Sequence, residues 1–154
     1  MTDKSSFSDE EWEQILESPT TAGMIVLTAQ RGGSFRESWA MAKAYVEARQ
    51  HHGGSELLDQ IVAEKPKRDK THYHSPEELK QGGLAHLQAA VALVGQKATQ
   101  QELDDYKAFV LMVADKVANA HREGGVAVSD AERSAIDEIA AALGTTAPAP
   151  PASA

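Results

Sequence analysis

Apolar residues along this chain recur at three- and four-residue spacing, in blocks set apart by glycine pairs and prolines. That spacing places side chains on one face of an α-helix. A short helix is predicted over about 9–17, stopping before Pro19, because proline lacks an N–H and its ring collides with the preceding turn. A second covers about 21–30 and ends at Gly32-Gly33. The third, about 35–50, carries Phe35, Trp39, Ala42 and Val46 and closes at Gly53-Gly54. The fourth, about 55–63, carries Leu57, Leu58, Ile61 and Val62. The fifth, about 76–97, carries Leu79, Leu84, Leu87, Val91 and Val94, and Gly82-Gly83 is expected to loosen or break its first turns. The sixth, about 100–122, shows Leu103, Tyr106, Phe109, Val110, Val113 and Val117. The seventh, about 130–143, shows Ile136, Ile139, Ala140 and Leu143 and ends at Gly144. No segment alternates with period two for long enough to form a strand. The expected fold is all-α, a compact bundle of six or seven helices in a single domain over 1–144. The Pro/Ala-rich tail over 145–154 is expected to be disordered.

Polar residues mark the helix starts. A capping box sets a Ser or Thr three residues before a Glu, so that two free backbone N–H groups find acceptors. Ser8 with Glu11, Ser34 with Glu37, Ser75 with Glu78, Thr99 with Glu102 and Ser129 with Glu132 all fit, and each stands before helical apolar spacing. Phe7 and Trp12 add a hydrophobic staple to the first. Pro76 adds a proline at the first helical position of the third, where its missing N–H costs nothing.

Composition narrows the function classes. Apolar residues are 42% of the chain and aromatics 5%, so a packed helical core is favoured over a β-sandwich or a disordered chain. The absence of cysteine excludes disulfides, thiolate metal sites and cysteine nucleophiles, and suits a reducing compartment. The net charge of −8 disfavours binding to phosphate backbones, so no nucleic-acid partner is expected. No apolar run reaches the length of a membrane span and no secretory signal core is visible, so a cytoplasmic location is expected.

Two stretches share a plan. "AQRGGSFRESWAMAKAYVEA" and "AHREGGVAVSDAERSAIDEIAAAL" each run from a helix end through Gly-Gly and a Ser-x-x-Glu cap into an amphipathic helix. Common helix grammar accounts for this as well as an internal duplication into two related helical halves does. The plan resembles the tellurite-resistance TerB-like helical family. The closest correspondence is residues 123–144, where Glu123-Gly124 stands for the family's Asp-Gly turn, Glu132 for its acidic residue and Leu143-Gly144 for its closing pair. The first half departs, with Arg31 where an acid would stand. The resemblance implies an all-α domain of two related halves, divalent cations at acidic turns, and assembly with partner proteins in stress response. It does not imply an enzyme.

The chemistry-bearing residues are few. In "KRDKTHYHSPEEL", His72 and His74 would point to one side of an extended strand, and two imidazoles can begin a Zn²⁺ or Ni²⁺ site completed by Glu77 or Glu78. Nothing in the sequence fixes the remaining ligands, and Glu78 is also a capping residue, so this stretch is read first as a charged connector ending in a cap. His51-His52 fits a helix C-terminus, where cationic imidazole is favoured. His86 and His121 fall within helices without an acid three residues earlier, and are expected to be packed or surface residues. The serines sit mostly at caps, no G-x-S-x-G elbow occurs, and the glycine pairs lack the spacing of a phosphate loop. Asp104-Asp105 is read as a solvated pair. Trp12, Trp39, Met24, Met41 and Met112 are expected in the core. The reading that results is a soluble, non-enzymatic helical protein that binds a protein partner, without a cofactor. The alternatives are a divalent-metal protein using His72, His74 or the acidic turn at Glu123, and an enzyme whose site is dispersed in the sequence.

Overall fold

The computed structural model describes residues 4–29, 35–50, 56–64, 74–123 and 130–145. They form a short 3-10 turn at Lys4–Ser6 and the helices α1 (Asp9–Ala29), α2 (Phe35–Gln50), α3 (Glu56–Ala63), α4 (Pro76–Lys97), α5 (Gln100–Glu123) and α6 (Asp130–Leu143). No strand occurs among the described residues. The all-α bundle expected from the sequence is what the chain forms.

Two expectations are overturned. The segments placed on either side of Pro19 are a single helix, with Pro19 buried in its interior. Proline removes the N–H that would bond the carbonyl four residues back, which here belongs to Ile15. That carbonyl accepts a hydrogen bond at 2.8 Å from the hydroxyl of Tyr106, on α5. A side chain 91 residues away thus replaces the missing backbone donor. Gly82-Gly83 likewise does not break α4, which runs unbroken from Pro76 to Lys97. Gly83 faces α1 closely: a Cβ there would lie 2.8 Å from Ile25 Cδ1 and 3.1 Å from Thr21 Cγ2.

Helices α1 and α5 form the centre of the bundle. Helix α1 packs against α4, α5 and α6, and every residue from Ile15 to Gly23 is buried. Helix α2 packs along α5 and touches α3, and α6 contacts α4, α1 and α5. The core is a continuous cluster that includes Ile15, Ile25, Tyr45, Leu57, Ile61, Leu87, Val94, Tyr106, Phe109, Ile139 and Leu143. Tyr45 and Phe109 meet edge to face, with ring centroids 5.1 Å apart. Trp12 lies in this core, with Met24 and Met112 packed against it, as expected.

The caps anchor the ends. Ser8 and Glu11 exchange both capping-box hydrogen bonds, at 2.8 and 3.2 Å, and so do Thr99 and Glu102, at 3.1 Å each. Ser75 accepts from the Glu78 N–H at 3.1 Å, but Glu78 reaches one residue further than a capping box requires, to the His74 N–H. Helix α6 ends in a Schellman turn, with Gly144 at φ 75° and bonds from Gly144 N–H to Ala141 O and Thr145 N–H to Ala140 O. The caps at Ser34 and Ser129, both Gly-Gly turns of the repeated plan, and residues 146–154 lie outside the described residues.

Candidate functional site

The residues singled out in the sequence fall in separate places. His74 is exposed just before α4, and its backbone N–H is taken by Glu78, so that carboxylate works as a cap. His72, His51 and His52 lie outside the described residues, as do the side chains of Trp39, Met41, His121 and Glu123. Glu123 is the last residue of α5, and Glu132 is buried in the first turn of α6. Among the described residues, no three His, Asp or Glu side chains gather as a metal site requires.

A polar seam that the sequence reading missed runs through the middle of α1. Glu17, Ser18, Thr20 and Thr21 are all buried. Thr20 and Thr21 hydroxyls donate to the Glu17 carbonyl at 2.8 and 2.9 Å, and Ser18 donates to the Gln14 carbonyl at 3.0 Å. His86, on α4, places Nε2 3.2 Å from the same Gln14 carbonyl and 3.8 Å from Glu17 Oε2. A carbonyl only accepts, so Nε2 carries the proton and the imidazole holds α4 to α1. Ser18 and His86 therefore meet at one backbone oxygen. Burial pushes the phenols of Tyr45 and Tyr106 well above their usual range. Tyr106 is satisfied by Ile15, whereas the Tyr45 hydroxyl has no hydrogen-bond partner among the described residues.

The open chemistry lies at one end of the bundle. A cleft of about 660 Å³ is lined by Lys4, Ser5, Phe7, Asp9, Trp12, Gln60, Ala63 and Glu64. Local rules build each wall. The capping box fixes the start of α1, and the staple sets Phe7 against Trp12, ring centroids 6.1 Å apart. The Lys97 ammonium lies 5.3 Å from the centre of the Phe7 ring and bonds Ser6 O at 2.8 Å and Glu11 Oε1 at 3.1 Å. The far wall is the end of α3. Arg49 caps it, donating to the Val62 carbonyl and, at 3.2 Å, to that of Glu64. The Lys4 backbone N–H donates to Gln60 Oε1 at 2.8 Å. Across the opening, Trp12 Nε1 and Lys4 Nζ face one oxygen, Glu64 Oε1, at 3.4 and 3.7 Å. The staple was legible in the sequence. Its meeting with Gln60 and Glu64 was not, because no local pattern joins residues 52 positions apart.

A smaller groove of about 440 Å³ lies along α5, between Asp104, Lys107, Leu111, Met112, Asp115 and Thr145. Burial raises the Asp115 carboxyl above its ordinary value, opposed by hydrogen bonding from Asn119. Among the described residues, no helix is long and apolar enough to cross a membrane. Comparison with protein families, curated proteins and solved structures finds no match for this chain.

Proposed function

We propose that this chain is a non-enzymatic helical binding protein, and that a protein partner docks in the Phe7–Trp12 cleft between the start of α1 and the end of α3. One observation carries the reading. The polar groups of the α1 seam are spent on the bundle's own backbone, whereas the cleft sets Lys4, Asp9, Gln60 and Glu64 around an opening over the buried Phe7–Trp12 pair. A polar rim over an apolar floor is the usual anatomy of a docking site. The proposal extends to a cytoplasmic role in stress response, supported by the TerB-like resemblance of residues 123–144 and by the lack of cysteine.

Ala63 is exposed at the cleft edge and ends α3, where an added cation suits the helix dipole. Ala63→Arg should therefore block the cleft and leave the fold intact. Affinity capture from the native host should yield a stoichiometric partner on the parent chain that is lost on the variant, with the two melting curves coinciding. Equal capture by both would remove the cleft from the interface.

A further inference from the structure

We draw no further inference here: the strongest candidate, the groove along α5 that Ala108, Leu111, Met112 and Thr145 line, carries none because nothing in the structure shows what covers it.

Discussion

At the residue scale, the two buried tyrosines make opposite cases. Tyr106 supplies the donor that Pro19 denies to Ile15. Tyr106→Phe would leave a buried carbonyl unpaired and should cost about 1–3 kcal/mol in urea denaturation. The cost should be conditional. Pro19→Ala restores a backbone N–H to the same carbonyl, so in that background Tyr106→Phe should cost about 1 kcal/mol less, a coupling that a double-mutant cycle measures directly. Tyr45 is as deeply buried, but its hydroxyl lacks a partner among the described residues. Tyr45→Phe should therefore be neutral or stabilising by up to about 1 kcal/mol. If Tyr45→Phe costs as much as Tyr106→Phe, the Tyr45 hydroxyl is paired in solution.

At the scale of elements, the α1–α4 contact turns on Gly83. Alanine there gains about 1 kcal/mol of helix propensity, but its Cβ would sit 2.8 Å from Ile25 Cδ1 in a closed core. Overpacking of this kind costs about 1–3 kcal/mol, so Gly83→Ala should be net destabilising, and adding Ile25→Val, which deletes that methyl, should recover most of the loss. Gly95→Ala is the control. Its new Cβ would lie 3.5 Å from Leu103, an ordinary contact, and thermal melting should show a gain of up to about 1 kcal/mol.

The same elements show how far the sequence could be read. The bounds of α2, α4 and α6 follow from caps and periodicity, and those of α3 and α5 lie within a residue of expectation. These signals are local, made of groups a turn apart. The break expected at Pro19 failed because the replacement donor comes from another helix. The break expected at Gly82-Gly83 failed because the lost propensity is offset by closer packing. The polar seam was unreadable for a related reason: Ser18 and Thr20 look like loop residues until α1 is known to run through them. Of the cleft, only Phe7 and Trp12 announced themselves.

At the scale of the whole molecule, stability should carry two opposite dependences on pH. Glu11 is held below its ordinary value of 4.5, first by the Ser8 backbone N–H and then by Lys97. A depressed carboxyl stabilises the folded state above its unfolded value, and that contribution is lost as pH falls through the folded one. Glu11→Gln should flatten the acid limb of a denaturation profile. Asp115 runs the other way, since burial raises it and its charge opposes folding once pH exceeds its unfolded value. Asp115→Asn should raise the melting temperature at neutral pH and lose that advantage in acid, where the parent residue is already protonated.

The central place of α1 also bears on how the molecule is made. This helix emerges from the ribosome before every helix that covers it, and its bond to Tyr106 waits for 91 further residues. At an elongation rate of about 5–20 residues per second, α1 spends several seconds without its partners. During that interval the Glu17–Thr21 stretch breaks what would otherwise be a sticky apolar surface. Residues buried as hydrogen-bonded seams in the finished fold are thus expected to keep the nascent chain soluble. Replacing Thr20 and Thr21 together with valine should leave refolding of the purified protein workable while increasing the insoluble fraction during synthesis, measured by pulse labelling.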